Sequence, residues 1–416
     1  MKRISVLVLM IGTLILALSL SLGILSPPFL TGLLTSRAQS SWDSKFWVFD
    51  GHMHPISSVY RRGGTIGETN ADPRFTLSLA QQGGLGAAFF NTSIDEFYEV
   101  NHLAVKDALR QIDRFYREIS KYPDQVGVAT NAEEVRALRR EGKIAGILAI
   151  EGALAIESDL GVLRMFHRLG LREMNLVHLL ANNIGDVGFS RTHDGKGSGL
   201  TDYGRELVAE MNRLGILIDL SHAGEQTILD VMEVSTQPVS TTHSGTRALG
   251  SGWSDEMIQT LAKMNGVICV PAMPQLATRR TATPTRPPRG SRLMGMEPLL
   301  YTGDPTKIYE FIDERSRASE SRRGGSIEER RRNLRPLSLM MDHIDYIVKL
   351  VGVDSVGFST DFGGFPVNLK GMEDASEYQN IAQALLNRGY SREDVAKIMG
   401  ENLLRLFDEV VSTATN

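Results

Sequence analysis

Several apolar runs in this chain end at a side chain that can bind a metal ion. The run 144–150 leads into Glu151, and the run 356–360 leads into Asp361. Three other runs end in histidine, and the full set of run-end side chains is His52, His54, Glu151, His222, His243 and Asp361. In (β/α)8 barrels the active site is built at the rim where the strands end. The pattern therefore predicts a site on the rim of a barrel.

Short apolar runs alternate with stretches of helical periodicity over most of the chain. The candidate strands are 46–52, 85–91, 144–151, 173–178, 216–221, 238–242, 266–272 and 355–360. The candidate helices are 95–121, 156–168, 201–213, 224–234 and 338–350, with a further start signal at Ser254-Asp255-Glu256. Eight strands alternating with helices predict an α/β fold, a (β/α)8 barrel of the TIM type. The alternative is a doubly wound open sheet, which explains less well why the ligand candidates are spread over the whole chain.

The composition is that of a globular enzyme, with 42% hydrophobic and 23% charged residues. The formal net charge of −4 gives no support for a nucleic-acid partner. The single cysteine, Cys269, lies in an apolar run, so we expect it to pack in the core rather than to react. A metal site in this chain must therefore use nitrogen and oxygen ligands.

The N-terminal segment 1–40 is predicted to be a signal anchor, or a signal peptide, followed by a linker. Lys2 and Arg3 precede an uncharged, mostly apolar run over 4–25, which is about long enough to span a membrane. The small residues in Ser36-Arg37-Ala38 suit cleavage by a signal peptidase instead. Both alternatives place the catalytic part, 41–416, outside the cytoplasm, and the first one attaches it to the membrane.

The segment 279–335 interrupts the alternation of strands and helices after the seventh strand. It carries 13 Arg and one Lys against eight acidic residues, a net charge of +6, and includes a run of three arginines at 330–332. We interpret it as a long Arg-rich insertion, with a helical part near 305–317. It can act as a lid or as a patch that faces acidic lipid headgroups. A solvated, mobile loop is the alternative.

His52 and His54 form a His-x-His pair at the end of the first candidate strand. Because side chains alternate along a strand, both imidazoles point to the same side. With Glu151, His222 and His243 they favour zinc, and manganese, cobalt or iron are alternatives. A carboxylate that bridges two ions holds them about 3.5–4 Å apart, the separation that traps a hydroxide nucleophile between them.

Three other side chains are candidates for catalysis or substrate binding. Asp361 precedes glycines at 363–364 that permit a sharp turn, and it can pass a proton from the attacking water to a leaving amine. His178 can donate to a developing oxyanion, or it is a hydrogen-bonded core histidine. Arg247 can bind a substrate carboxylate through two hydrogen bonds, or it pairs with a surface acid. The remaining histidines, interpreted as structural, are His102, His167, His193 and His343.

A series of short motifs occurs in order between about Phe46 and Leu406. They include Ile150-Glu151-Gly152, Gly199-Leu200-Thr201-Asp202-Tyr203-Gly204, Asp219-Leu220-Ser221-His222, His243-Ser244, Arg247-Ala248-Leu249, Asp361-Phe362-Gly363-Gly364 and Gly400-Glu401-Asn402. With these motifs the chain resembles the membrane dipeptidase (renal dipeptidase) family of zinc peptidases, a branch of the amidohydrolase-type barrels. The resemblance leaves out the Arg-rich insertion.

The resemblance implies a site with two zinc ions. His52 and His54 would bind one ion, Glu151 would bridge, and His222 and His243 would bind the other. The best-known members have aspartate where this chain has His54, so one negative charge is missing from the site. The loss of that charge can shift the preference for the metal.

The resemblance also implies roles in substrate binding and catalysis. His178 would contact the substrate or the tetrahedral intermediate, and Asp361 would be the acid/base group. The family hydrolyses dipeptides, often with a D-residue or a dehydro-residue at the C-terminal position, and its members often form homodimers. The loop 250–253 is short and lacks the arginine that typically meets the substrate carboxylate, and Arg247 is the candidate to replace it.

The sequence therefore predicts a zinc-dependent dipeptidase in which Glu151, His178 and Asp361 take part in catalysis. The first alternative is a related metal-dependent amidohydrolase that acts on another small amide or a lactone, and the missing loop arginine favours it. The second alternative is a catalytically inactive, membrane-anchored binding protein. Every expected ligand position still carries a residue that can bind a metal, which argues against this second alternative.

Overall fold

The computed structural model describes residues 45–68, 72–94, 103–178, 182–188, 199–277 and 333–414. The N-terminal segment 1–40 and nearly all of the Arg-rich insertion lie outside these residues, as do His102 and His193. Residues Trp47–Asn416 form one compact unit. Among the described helices, none is both long and apolar enough to cross a membrane.

The described strands form a parallel α/β barrel of the TIM type. Their bounds are β1 (Val48–Met53), β2 (Leu85–Ser93), β3 (Val126–Val128), β4 (Ile144–Glu151), β5 (Glu173–Asn175), β6 (Leu217–Asp219), β7 (Ser240–Thr241), β8 (Val267–Pro271) and β9 (Val356–Ser359). Eight of these strands follow one another in the order β1-β2-β4-β5-β6-β7-β8-β9. The short strand β3 pairs with β4 outside this order.

Hydrogen bonds close the sheet between its first and last strands. The amide of Asp361 donates to the carbonyl oxygen of His52 at 2.8 Å, and the amide of His54 donates to that of Phe362 at 2.7 Å. The amide and the hydroxyl of Thr360 both donate to the carboxylate of Asp50. A doubly wound sheet has two open edges, so this closure excludes the alternative that the sequence left open.

Helices cover the outside of the barrel, and six of the twelve described helices begin after a residue whose side chain caps the first turn. Their bounds are α1 (Pro55–Arg62), α2 (Leu77–Gly83), α3 (Ala104–Ser120), α4 (Ala132–Arg140), α5 (Leu160–Arg168), α6 (Asp202–Leu214), α7 (Glu225–Val234), α8 (Asp255–Lys263), α9 (Ser338–Val351), α10 (Tyr378–Asn387), α11 (Arg392–Ala396) and α12 (Asn402–Val411). The side chains of Thr201 and Ser254 accept hydrogen bonds from the first turns of α6 and α8, which satisfies amides that have no partner within the helix.

The core of the barrel is apolar below the rim. Phe49, Phe89, Ile147 and Cys269 belong to one fully buried cluster, which also packs against α12. The expectation that Cys269 is a buried core residue is confirmed. All eight residues of β4 are buried, as expected for a strand covered on both faces.

The sequence located the eight strands of the ring to within a few residues, whereas several helices, among them α2, α4 and α10, were not among the candidates. Three further details also differ. Strand β5 ends at Asn175 rather than at residue 178, so His178 lies three positions beyond the paired residues. Strand β3 is only three residues long, too short to produce a periodic signal. Helix α1 begins directly after His54, where Pro55 occupies the first helical position that proline favours.

Candidate metal centre

The end of β1 places two imidazoles at the rim. His52 is fully buried and His54 is 3% exposed. Their Nε2 atoms lie 3.0 Å apart, because side chains two positions apart on a strand point to the same side. The Nδ1 atom of His52 contacts the side chains of Asn91 and Thr242, so the ring is held from behind while Nε2 faces the site.

Glu151 lies at the centre of the site, at the end of β4. Its Oε1 atom is 3.1 Å from Nε2 of His222, 3.4 Å from that of His52 and 3.9 Å from that of His243. The Nε2 atoms of His222 and His243 are 2.7 Å apart. One carboxylate oxygen therefore faces three imidazoles that come from β1 and from the ends of β6 and β7.

The second oxygen of Glu151 faces two more histidines. Its Oε2 atom is 3.4 Å from Nε2 of His178 and 3.5 Å from Nε2 of His54. His52 and His54, which the family resemblance assigns to one ion, lie beside different oxygens of Glu151, and together with Asp361 they also form one group of possible ligands. His178 belongs to the cluster as closely as the expected ligands do.

Asp361 follows the end of β9 and lies beside His54 in the same cluster. Its Oδ1 atom is 3.3 Å from Nε2 of His54 and is buried, with no hydrogen-bond donor among the described residues. The backbone turns sharply here, with a φ of 53° at Asp361 and of 93° at Gly363. A Cβ atom at Gly364 would lie 2.2 Å from this same Oδ1 and 2.6 Å from His54 Cδ2, so only glycine fits against the two ligands.

Three groups of side chains have the geometry of metal ligands in the described part of the chain. They are His52 with His54 and Asp361, His52 with Glu151 and His243, and Glu151 with His178 and His222. Within each group the ligand atoms lie within 4.8 Å of one another. Imidazole nitrogen and carboxylate oxygen are the donors that zinc and similar divalent ions take in catalytic sites. The residues therefore fit a metal centre made of nitrogen and oxygen ligands.

Burial and charge shift the titration of these groups in opposite directions. Burial alone raises the pKa of Glu151, but the imidazoles of His178, His54, His222 and His52 outweigh it and hold this pKa well below its ordinary value. Burial lowers the pKa of His178 to about 3 despite the nearby carboxylate of Glu151. Burial also disfavours charge on His52, yet its hydrogen bond to Glu151 and the surrounding carboxylates raise its pKa to about 9.

The two arginines that can serve the substrate lie in different places. Arg247 forms an ion pair with Glu225 at 2.8 Å, and both side chains are about half exposed. Arg61, in the last turn of α1, donates to the carbonyl oxygen of Ser93 at 2.6 Å. Ser93 ends β2 and pairs in register with Glu151, so Arg61 lies at the rim beside the centre of the cluster.

Sequence reasoning missed the residues that hold the ligands in place. Asp50 and Asp219 are fully buried, and each accepts hydrogen bonds from backbone amides next to the ligands. Thr242 contacts the rings of His52 and His243. A usable signal was the recurrence of aspartate two or three positions before a ligand histidine, in Asp50-Gly51-His52 and Asp219-Leu220-Ser221-His222.

Comparison with known proteins agrees with this geometry. The family model described as membrane dipeptidase (peptidase family M19) matches residues 38–416. Dipeptidase tcpJ of Claviceps purpurea is 30% identical over 392 residues, which cover 88% of this chain and 78% of that protein. Dipeptidase aclJ of Aspergillus oryzae is 28% identical over 344 residues, which cover 80% of this chain and 69% of that protein.

Solved structures share the fold over nearly their full length. The probable dipeptidase PvdM from Pseudomonas aeruginosa superposes with a TM-score of 0.71 at 25% identity, covering 91% of this chain and 98% of that chain. A metallopeptidase from Rhodobacter sphaeroides, solved with a phosphinate mimic of the dipeptide L-Ala-D-Ala, has a TM-score of 0.65 at 24% identity. That comparison covers 88% of this chain and 100% of the other.

Proposed function

The chain belongs to the membrane dipeptidase family, peptidase family M19, and we propose that it hydrolyses dipeptides at a centre of two divalent metal ions, with zinc as the expected metal. As an M19 dipeptidase it is a metallopeptidase. The observation that carries the proposal is the convergence of five histidine Nε2 atoms on the carboxylate of Glu151. A carboxylate with ligands on both oxygens is the arrangement that bridges a pair of ions.

Five residues would hold the ions: His52, His54, Glu151, His222 and His243. When bound, divalent ions lower the pKa of water and polarise a carbonyl oxygen. The imidazole at His54, where the best-known members have aspartate, leaves Glu151 and Asp361 as the carboxylates that the ligand groups contain. The site therefore carries less negative charge than a site with aspartate at this position, which favours metals that accept nitrogen ligands readily.

His178 and Asp361 would act on the substrate itself. Burial lowers the pKa of His178 to about 3, so its imidazole is neutral at neutral pH and keeps one N–H that can donate a hydrogen bond to the carbonyl oxygen. Asp361 has a carboxylate oxygen without a donor at the rim, where it can accept the proton of the attacking water and pass it to the leaving amine. The glycine turn after Asp361 keeps this oxygen beside His54.

A positively charged side chain beside the metal centre is consistent with a substrate that has a free carboxylate. We propose Arg61 for this contact, because its guanidinium bonds to the last residue of the strand that is paired with Glu151. Arg247, the sequence candidate, is engaged by Glu225 at a half-exposed position. A guanidinium at the rim can bind a carboxylate through two hydrogen bonds. The substrate of this proposal is therefore a dipeptide with an unmodified C-terminus.

Two variants separate the arginines. Arg61→Met is expected to raise KM for a free dipeptide about 10- to 100-fold, the range for losing a hydrogen bond to a charged group. KM for the same dipeptide amidated at its C-terminus should change little, because no carboxylate is left to bind. Arg247→Met is the matched control and should stay within about threefold of the wild type. A larger increase in KM in Arg247→Met than in Arg61→Met would show that Arg247 binds the substrate carboxylate.

The function is tested with the purified full-length chain loaded with zinc. We expect it to hydrolyse L,L- or L,D-dipeptides and to lose this activity after chelation. Small lactones and other amides form the comparison panel, because the alternative is a sister amidohydrolase with a different substrate. Zinc-loaded protein that cleaves a lactone or another amide but no dipeptide would contradict the dipeptide assignment and leave the metal chemistry in place.

We also propose that the segment 1–40 brings the catalytic part to the outside of the cytoplasm, as an anchor or as a cleaved signal. The support is the apolar run 4–25 after Lys2 and Arg3. Fractionation of expressing cells, combined with N-terminal sequencing of the product, tests this. Full-length, uncleaved protein in the soluble cytoplasmic fraction would contradict it.

A further inference from the structure

Two buried aspartates hold the rim in the same way at two places. Oδ1 of Asp50 accepts from the amides of His52 at 3.0 Å and Thr360 at 3.1 Å. Oδ1 of Asp219 accepts from the amides of Ser221 at 2.9 Å and Thr242 at 2.8 Å. Each aspartate therefore binds the backbone of its own strand end and that of the neighbouring strand end.

The second oxygen of each aspartate binds a threonine hydroxyl. Thr360 Oγ1 donates to Asp50 Oδ2, and Thr242 Oγ1 donates to Asp219 Oδ2, both at 2.5 Å. The residue after Thr360 is Asp361, and the residue after Thr242 is His243. Both threonines thus precede a residue of the metal centre.

The two threonine hydroxyls differ in what else they contact. Thr242 Oγ1 lies 2.9 Å from Nδ1 of His52 and 3.2 Å from Nδ1 of His243. Within the described residues, no hydrogen bond joins the hydroxyl of Thr360 to a histidine; this hydroxyl accepts from the amide of Phe362 at 3.4 Å and also bonds to the hydroxyl of Tyr378. The two sites share the backbone and threonine bonds of their aspartates. They differ because Asp50 also accepts from the hydroxyl of Tyr378, Asp219 also accepts from the hydroxyl of Ser221, and only Thr242 contacts ligand histidines.

The chemistry of a hydroxyl decides the direction of these bonds. A threonine hydroxyl has one proton to donate and two lone pairs with which to accept. Thr242 gives its proton to Asp219, so it can only accept from Nδ1 of His52 and of His243. Nδ1 then carries a proton in both rings. When a ring gives up its second proton to bind a metal ion, the lone pair is left on Nε2, the atom that faces Glu151.

We propose that Asp219 and Thr242 are positioning residues that fix His52 and His243 with Nδ1 protonated and Nε2 directed at the metal ions. The proposal rests on the metal centre described above and adds the residues that set it. The amide nitrogen of Asn91 lies 3.0 Å from Nδ1 of His52, an orientation in which it can donate only to an unprotonated Nδ1, while its Oδ1 atom is buried without a partner among the described residues. The proposal therefore assigns the opposite orientation to this amide. Rotating this amide by 180° would give the Nδ1 proton a second acceptor.

Matched variants at the two threonines test the proposal in the full chain. Thr242→Val and Thr360→Val each remove one hydroxyl bond to an aspartate and keep the shape of the side chain. Zinc affinity is measured by competition with a chromophoric chelator. Thr242→Val should weaken zinc binding about 10- to 100-fold, as is usual when a partner of a ligand histidine is lost. Thr360→Val should stay within about threefold, and Thr242→Ser should restore wild-type affinity. Equal losses in the two valine variants, or no loss in Thr242→Val, would overturn the proposal.

A second readout does not depend on how the variants fold. In the zinc-loaded wild-type chain, proton NMR should show protonated Nδ1 atoms on His52 and His243 with contacts to the Thr242 methyl group. Coordination of zinc through Nδ1 of either ring would overturn the proposal. The same preparation is assayed with dipeptides, so a failure of the proposed function, seen as bound zinc without cleavage, is distinguished from a failure of the positioning role.

Discussion

Two buried glutamates on neighbouring strands show how position on the barrel decides the behaviour of a carboxylate. Glu151 on β4 is 4% exposed and Glu173 on β5 is fully buried. Glu173 pairs in register with Ala149, so Glu151 lies two residues, about 6.6 Å, closer to the rim. At this height Glu151 meets five imidazoles, whereas the two oxygens of Glu173 have no hydrogen-bond partner in the described part of the chain.

The two pKa values move in opposite directions for this reason. Around Glu151 the imidazoles outweigh the effect of burial and hold the pKa well below its ordinary value. For Glu173 burial raises the pKa well above its ordinary value, and the negative charges of Asp219 and Glu151 add to the rise. The surroundings of Glu151 therefore favour its ionised form, which binds cations, whereas burial favours the protonated form of Glu173 inside the barrel.

The largest expected effect separates the two glutamates by activity. Glu151→Gln should reduce dipeptide hydrolysis by about 10³-fold or more, because the substitution removes the negative charge at the centre of the site and catalysis there depends on electrostatic stabilisation. Glu173→Gln makes the same chemical change one strand away and should leave kcat within about threefold of the wild type. Rates are measured on folded, zinc-loaded proteins. Substantial activity in Glu151→Gln would contradict the central place given to this carboxylate.

For a third carboxylate, Asp361, the change to an amide should reduce the rate strongly, as at Glu151, and not weakly, as at Glu173. Asp361→Asn is expected to reduce kcat by about 10²- to 10³-fold, since an amide cannot accept the proton of the attacking water. Circular dichroism shows whether the barrel is intact in the variant. A kcat close to that of the wild type would remove Asp361 from the proton transfer.

Metal removal should affect stability as well as rate. A ligand present at 100 times its dissociation constant adds about 2.7 kcal/mol to the free energy of unfolding. Chelation should therefore lower the Tm of the wild type and of Glu173→Gln, and added zinc should restore it. Glu151→Gln should gain less from zinc than either protein. An equal gain in all three would show that the stabilising ion is bound elsewhere.

The smallest expected effect belongs to Glu173 and depends on pH. Its pKa is ordinarily 4.5 and is raised in the folded chain, so above about pH 4.5 the unfolded chain ionises this group while the folded chain keeps it protonated. The free energy of unfolding should then fall as pH rises, by about 1.4 kcal/mol per pH unit, until the folded-state pKa is passed. Denaturant titrations at several pH values should show this contribution in the wild type and not in Glu173→Gln. Parallel curves for the two proteins would mean that Glu173 is ionised in the fold.

The sequence allowed the rim to be predicted better than the interior. Residues such as Glu151 and Asp361 end apolar runs, and the carboxyl ends of parallel strands meet at one rim, so the residue type and its place in the run were enough. Glu173 stands between Arg172 and Met174 at the beginning of a run, where a polar residue normally marks the end of a loop. The position of Glu173 below the rim depends on how β5 pairs with β4, and a local sequence pattern does not predict this register.

Contacts between residues that are far apart in the sequence could not be predicted either, because they also depend on how the strands pair. Thr242 meets His52 across 190 positions, and the choice between Arg61 and Arg247 depends on which side chain reaches the end of β2. The types of ligand could be inferred from single positions. The hydrogen bonds that orient them depend on the closed ring of strands.

Metal content of the purified full-length chain tests the central claim most directly. After loading with zinc and removal of the excess, elemental analysis should give two zinc ions per wild-type chain, two per Glu173→Gln chain and fewer per Glu151→Gln chain. Dipeptide cleavage measured on the same samples should follow the zinc content. A wild-type chain that binds no zinc, or one whose zinc content is unchanged in Glu151→Gln, would contradict a metal centre bridged by this glutamate.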